Sequence, residues 1–430
     1  MRKAALHNLG CKVNSYETEA MQQLLEAAGY QIVDFEEKAD VYIINTCSVT
    51  NVADKKSRQM LHRAKAKNPE ALVVAAGCYA QAAGEKLLED TAIDLVIGNN
   101  KKAELVQLLE ERLAGREPQD AVIDISAAQE YEALHIERQA DHTRAFIKVQ
   151  DGCNQFCSYC IIPYTRGRVR SRRPEDVEKE VRTLAEKGYQ EIVLTGIHLS
   201  SYGTDLKEEH QDLLELTKRL HRIPGVKRIR FGSLEPRLIT EKFVQELSSM
   251  EKICPHFHLS LQSGCDATLA RMNRHYTTAR YREIAGALRE KFPGCAITTD
   301  VITGFPGETP EEFAETCGFV REMGFAMVHI FPYSERRGTA AASMPDPVPM
   351  EERRRRASEL AEITAGSARA FYEAQVGTVQ MVLIEKKREP DWVRGYTPNY
   401  TPVRVRCADD RRGELLPVRI TEAGPEGCTG

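Results

Sequence analysis

The chain has 430 residues, 42% of them hydrophobic, with a formal net charge of -4 and 12 cysteines. That length allows two or three domains, the apolar content argues against disorder, and the near-neutral charge leaves any nucleic-acid partner to be argued from local clusters. No segment approaches the roughly 20 apolar residues that span a bilayer, and no secretory leader is evident, so we expect a cytoplasmic protein with no membrane partner whose clustered thiols hold metal rather than form disulfides.

Residues 1–115 alternate short apolar strands (KAALHNLG, ADVYIINTC, ALVVAAGC, LVIGNN) with helices (TEAMQQLLEAAGY and the basic SRQMLHRAKAK). This is the pattern of an open α/β domain with a largely parallel sheet. Three of its strands run into a cysteine: Cys11, Cys47 and Cys78. Ligands of such sheets collect outside the carboxyl ends of the strands, so three convergent thiolates predict a four-iron cluster with one iron left open. Taken singly, each also reads as a small buried hydrophobe. Residues 116–140 are polar and weakly periodic, as a connection between domains is.

From 141 to 370 a second α/β stretch follows, with strands at AFIKVQ, EIVLTGIHL, RIRFGSL, FHLSLQSG, ITTDVITGFPG and MVHIFPYS. Six repeats are too few for a closed eight-stranded barrel and predict an open, partial (β/α)6 barrel. Immediately after the first strand comes DGCNQFCSYC, with Cys153, Cys157 and Cys160 spaced C-x3-C-x2-C. Three thiolates are one too few to saturate a four-iron cluster, and the open iron suits a small molecule; a structural zinc knot would need four closed ligands. Arg166, Arg168, Arg170, Arg172 and Arg173 then follow without an intervening acid, which reads either as a phosphate-binding run or as a solvated face. In HFHLSLQ the residues His256, His258, Ser260 and Gln262 share one strand face, which explains the histidines without a zinc site shared with Cys254 and Cys265. Cys295, Cys317, Cys407 and Cys428 read as free thiols. Residues 374–430 change to short strands and turns, a small all-β barrel. There Trp392, Arg394, Tyr396, Tyr400, Arg404 and Arg406 interleave rings and guanidinium groups, as an RNA-stacking surface does, or else fill the barrel's core.

Taken together, NLGCKVNSYETEA, INTCSVT, AAGCYAQ, DGCNQFCSYCIIPYTRGRVRSR, EIVLTGIHLSSYG, LSLQSG and DVITGFPGET resemble the methylthiotransferase family of radical S-adenosylmethionine enzymes over essentially the whole chain. The resemblance implies a TRAM domain at 374–430 and two [4Fe–4S] clusters. The one at Cys153, Cys157 and Cys160 would coordinate S-adenosylmethionine and reduce it to a 5′-deoxyadenosyl radical; the one at Cys11, Cys47 and Cys78 would hold the sulfur for transfer. Strand-end residues that would meet the cofactor are Thr195, Gly196, Ser233, Glu235 and Gln262. Asp300 reads as a tentative catalytic residue facing the cavity or as a loop-capping carboxylate. Within the family, Lys12, Val13, Asn14, Tyr16 to Glu19 and Ile197 to Gly203 resemble the branch that methylthiolates C2 of N6-threonylcarbamoyladenosine beside the tRNA anticodon. That substrate carries a carboxylate, and we expect a cavity lined with arginine. Other members act on isopentenyladenosine in tRNA or on a ribosomal-protein aspartate; outside the class stands an iron–sulfur redox regulator that binds nucleic acid. An electron donor and a sulfur source are further partners that the chemistry requires.

Overall fold

The structure is a computed structural model and describes residues 1–118, 120–139, 143–206, 211–385 and 389–430. Gln119 and Ala140 of the predicted connection, and Lys386 and Lys387 of a predicted strand, lie outside the described residues.

The N-terminal sheet has five parallel strands, Lys3–Asn8, Gln31–Ile32, Val41–Thr46, Leu72–Gly77 and Leu95–Ile97, in the spatial order second, first, third, fourth, fifth. Every residue of Val41–Thr46 is buried, as a central parallel strand covered on both faces requires. Met21 and Leu25 of helix Lys12–Ala27 join Leu105, Leu108 and Leu109 of helix Leu105–Leu113 on one face. Leu61 and Ala64 of helix Asn51–Lys67 cover the other. The chain reverses direction across the sheet between the first and third strands, and a doubly wound sheet opens its ligand crevice at such a switch point. Cys11 follows the first of these strands and Cys47 the third.

The second sheet runs through six parallel strands in chain order: Ala145–Asp151, Glu191–Gly196, Arg228–Phe231 continuing as Ser233–Leu234, His256–Leu259, Ala296–Thr303 and Met327–Pro332. Ile229 bridges to Ile253 and Ser233 pairs with His258, which joins the two halves. No pairing links the first and sixth strands among the described residues, so the sheet stays open. The N-terminal sheet and its helices meet both ends of this opening. Glu17 pairs with Lys148 of the first strand at 2.7 Å, and Asp54 pairs with Arg336, just beyond the sixth, at 2.8 Å. Tyr16 and Ala20 belong to the same apolar core as Ile147, Leu194 and Phe257, so the contact is continuous packing.

Helix Met350–Glu373 leads into a C-terminal sheet of six short strands, antiparallel except where Pro402–Arg406 pairs in parallel with Gly427–Thr429. Four of these strands are legible as β-branched runs; the hairpin Glu422–Gly424 with Gly427–Thr429 is too short and too small in its side chains to carry that signal. The core is formed by Val382, Ile384, Val393, Val403, Val405, Val418 and Ile420 with Cys428 and with Tyr372 of the preceding helix. Trp392, Tyr396 and Tyr400 therefore do not fill it. Tyr396 and Tyr400 stack at 4.6 Å, and the Arg144 and Arg230 guanidinium groups each lie within 5 Å of the Tyr400 ring, at 4.9 and 4.7 Å. Arg230 also donates to the Pro398 carbonyl at 2.9 Å. These contacts seat the C-terminal sheet at the amino ends of the second sheet's strands.

Candidate active site

Local geometry accounts for the radical-type loop. Gly152 has φ +70°, and a Cβ there would sit 1.8 Å from the Arg168 carbonyl oxygen, so only glycine lets the returning chain pass this close. The Cys153 amide donates to the Gly167 carbonyl at 3.0 Å, the Ser158 hydroxyl to the Arg271 carbonyl at 2.8 Å, and the Asn273 side chain to the Phe156 carbonyl at 3.0 Å. Arg274 donates to Cys157 Sγ at 3.1 Å and has a second, buried guanidinium nitrogen without a partner. Burial pushes the Cys153 thiol up to about 11 and the Cys160 thiol up to about 12. Such thiols ionise only when a metal takes the proton's place, and the unspent Arg274 nitrogen suits an anionic metal–thiolate group. The donor set fits an iron–sulfur cluster.

The other three cysteines meet at the switch point of the N-terminal sheet. Gly10 has φ +104°, and a Cβ on it would lie 3.0 Å from Cys47 Sγ, which is how closely the first loop approaches the second. Arg166, six residues beyond Cys160, reaches across to this group. Its Nε donates to Cys78 Sγ at 3.3 Å, Nη2 donates to Asn14 Oδ1 at 2.6 Å, and Nη1 donates to Glu17 Oε1 at 2.6 Å. Nη1 also pairs with Asp151 at 3.1 Å. Asn99 Nδ2 lies 3.7 Å from Cys78 Sγ and donates to the Thr165 carbonyl at 2.7 Å. Lys102 and Lys148 complete the shell, at 3.1 and 2.7 Å from Glu17. Burial alone would raise the Glu17 carboxyl, but Arg166, Lys102 and Lys148 hold it well below the usual range. Arg166, Lys102, Lys148 and Arg170 are all buried, against the carboxylates of Glu17, Asp151 and Glu132. Burial raises the Cys11 thiol and pushes the Cys47 thiol up to about 11 against the pull of Arg166, so these thiols too suit a metal that displaces the proton, with the Arg166 guanidinium in place beside an anionic cluster.

A cavity of about 640 Å³ joins the two halves of the protein. Cys11 and Lys12 line it from the N-terminal sheet, and Thr195, Gly196, Ser233 and Asp300 line it from the second sheet. His256 and His258 face it while Phe257 and Leu259 are buried behind, as strand alternation predicts. His258 Nε2 sits 3.1 Å from Asp300 Oδ2, and the ligating atoms of His258, Asp300 and His329 lie within 4.8 Å of one another. Glu235 and Gln262 are not among the lining residues. Glu235 pairs with Arg237 at 2.8 Å, and the Gln262 amide donates to the Asp300 carbonyl at 2.8 Å, binding that loop to the next strand.

Residues 3–98 match the family described as uncharacterized protein family UPF0004, and residues 147–320 match the radical SAM superfamily. The threonylcarbamoyladenosine tRNA methylthiotransferase MtaB of Bacillus subtilis is 42% identical, over 99% of this chain and 95% of that one. The chain belongs to the methylthiotransferase family of radical S-adenosylmethionine enzymes. Also similar is the tRNA-2-methylthio-N(6)-dimethylallyladenosine synthase of Moorella thermoacetica, 38% identical over 96% of this chain and 94% of that one. Among solved structures, the radical S-adenosylmethionine methyltransferase TsrM of Kitasatospora setae shares the fold, with a TM-score of 0.59 at 16% identity over 80% of this chain and 75% of that one.

For this methylthiotransferase the arginine run needs correction. Arg166, Arg170 and Arg172 are buried, and none of them can reach a phosphate. Arg172 pairs with Glu180 at 3.0 Å, and Glu180 also accepts from Tyr16 at 3.0 Å, so this arginine ties the N-terminal helix to the second sheet's first helix. Only Arg168 and Arg173 are exposed. Tyr396 is likewise removed from the RNA-facing set, since Arg144 covers its ring at 4.6 Å. Among the described residues no arginine lines the cavity either; its cation is Lys12. Sequence reasoning named Asn14 and Glu17 only for the resemblance of their segment, without a role in the site, and missed Asn99, Lys102, Lys148, Asp151 and Arg274. The available signals were a lysine inside the apolar strand AFIKVQD and a carboxylate within the helix that follows Cys11.

If Arg166 and Glu17 hold the halves together, Arg166→Met should cost the metal-free protein about 3–5 kcal/mol, because it strips a partner from buried carboxylates. Urea denaturation under reductant measures this. Adding Glu17→Gln should cost less than the two single losses combined; strict additivity would show that the pair is not coupled.

Proposed function

We propose that this enzyme places a methylthio group on C2 of N6-threonylcarbamoyladenosine beside the anticodon of tRNA. The observation that carries the reading is the shared cavity: Cys11, from one cysteine triad, opens onto the same space as the strand ends that follow the radical loop. An adenine C2–H bond has neither acidity nor a leaving group, so acid–base chemistry has no purchase on it. S-adenosylmethionine and a [4Fe–4S] cluster at Cys153, Cys157 and Cys160 supply the radical chemistry. Thr195, Gly196 and Ser233 orient that cofactor, and Asp300, steadied by His258, lies where it can handle a proton. Cys11, Cys47 and Cys78 would hold a second [4Fe–4S] cluster, which would supply the sulfur for transfer. In this reading residues 1–115, 141–370 and 374–430 are the methylthiotransferase, radical and TRAM domains. The second is a partial (β/α)6 barrel, the third a small β barrel, and residues 116–140 connect the first two.

The relative named for threonylcarbamoyladenosine supports the substrate, as does the cavity's one lysine, which an isopentenyl group would leave unpaired. Mass spectrometry of nucleosides after reaction with tRNA carrying adenosine, its isopentenyl form or its threonylcarbamoyl form tests this. We expect conversion of the last alone; conversion of only the isopentenyl form would refute the substrate and keep the family.

The tRNA contact falls on the outer face of the C-terminal sheet. Trp392 opposes Arg406 and Arg394 opposes Arg404 across one antiparallel pair, with Val393, Val403 and Val405 turned inward. Arg404 stacks over the Trp392 ring at 4.4 Å. Replacing Arg394, Arg404 and Arg406 by Gln should weaken binding to every tRNA alike and flatten its salt dependence by up to about one unit per lost phosphate contact. Unchanged affinity would leave this face without a role in binding.

A further inference from the structure

The cavity holds one cation with no partner. Lys12 follows Cys11 at the start of helix Lys12–Ala27, lines the cavity, and makes no hydrogen bond or ion pair among the described residues. The arginines around it are spoken for. Arg144 pairs with Glu385 at 2.8 Å and Arg230 with Glu191 at 2.8 Å.

A second orphan faces the same space. His256 is 7% exposed, lines the cavity, and its buried Nδ1 has no partner. Its Nε2 lies 3.5 Å from the Thr298 hydroxyl. Burial and the charges of Arg230, Lys12 and Arg144 keep the ring neutral. In the tautomer whose Nε2 accepts from Thr298, Nδ1 carries the proton and has a hydrogen bond to give. A lone ammonium in the cavity and an unpartnered ring nitrogen on a residue that lines it call for an anion with more than one acceptor oxygen, and a carboxylate is the smallest organic group that supplies it.

Two carboxylates can enter: that of the threonylcarbamoyl substituent and that of the S-adenosylmethionine amino acid. The position of Lys12 beside Cys11 favours the first. An adenine whose C2 faces the Cys11 triad carries its N6 substituent within the reach of the neighbouring side chain. We propose that Lys12, with His256, binds the carboxylate of the threonylcarbamoyl group and is the residue by which this enzyme selects that base. The proposal rests on the substrate reading above and adds the residues that enforce it.

The test uses the anaerobically reconstituted holoenzyme and anticodon stem-loop RNA carrying either the threonylcarbamoyl acid or its methyl ester, which keeps size and removes charge. Wild-type protein should bind the acid about 10- to 100-fold more tightly than the ester, the usual span for a hydrogen-bonded charged pair. Lys12→Gln should bring that ratio close to one, and Lys12→Arg should restore most of it. His256→Phe, which fills the space without the donor, should lower the ratio by a smaller factor. Equal wild-type affinity for acid and ester, while the threonylcarbamoyl tRNA is still converted, overturns the proposal and leaves the substrate reading standing. Loss of S-adenosylmethionine affinity in Lys12→Gln with the acid-to-ester ratio intact also overturns it, by giving the cation to the cofactor. Failure of wild-type protein to convert the threonylcarbamoyl tRNA overturns the substrate reading itself.

Discussion

The arrangement depends on one buried ion pair. Arg166 leaves the radical loop and ends in the N-terminal sheet, with Glu17 at 2.6 Å and Cys78 Sγ at 3.3 Å. An arginine without water must be paired on nearly every nitrogen, so its position is fixed by Asn14, Glu17 and Asp151 together. Because the same side chain is covalently close to Cys160 and hydrogen-bonded to Cys78, the two cysteine triads cannot move independently. The proposed chemistry, in which a sulfur passes from one site to a carbon activated by the other, would need that fixed relation.

The open second sheet makes the arrangement possible. A closed barrel would have no side for another domain to enter. Six strands leave a gap, and the N-terminal sheet and its helices spans it with one ion pair at each edge, Glu17 to Lys148 and Asp54 to Arg336. The C-terminal sheet covers the amino ends of the strands through the Arg144, Tyr396, Arg230 and Tyr400 stack. The cavity so enclosed is lined mostly from the second sheet, with Cys11 and Lys12 entering from one side and Asn399, Tyr400 and Thr401 from below.

Much of this was legible in the chain. Strand endings at Cys11, Cys47 and Cys78 and the C-x3-C-x2-C loop are local patterns, and alternation alone turned His256 and His258 toward the cavity. The arginine run was not legible. Periodicity cannot distinguish an arginine that faces solvent from one that crosses to another domain, because Glu17, the partner of Arg166, stands 149 residues away and Tyr16, a partner of Arg172, 156 residues away, and only the fold reveals both. The same holds for Tyr396 and Tyr400. Their alternation with arginine suggested a stacking surface for bases, but the guanidinium groups that cover them come from the second sheet, far away in sequence. Trp392, Arg394, Arg404 and Arg406 kept their outward face because their neighbours Val393, Val403 and Val405 are the small sheet's core.

The central claim of the proposed function is that two iron–sulfur clusters, one at each cysteine triad, stand close together across Arg166. Electron paramagnetic resonance of the fully reduced protein tests it most directly, compared with variants that lack Cys11, Cys47 and Cys78 or Cys153, Cys157 and Cys160. Two paramagnetic clusters held close by Arg166 should interact, giving a split or broadened spectrum that neither variant shows. A spectrum equal to the sum of the two variants' spectra would mean that the clusters stand apart, and would contradict the account.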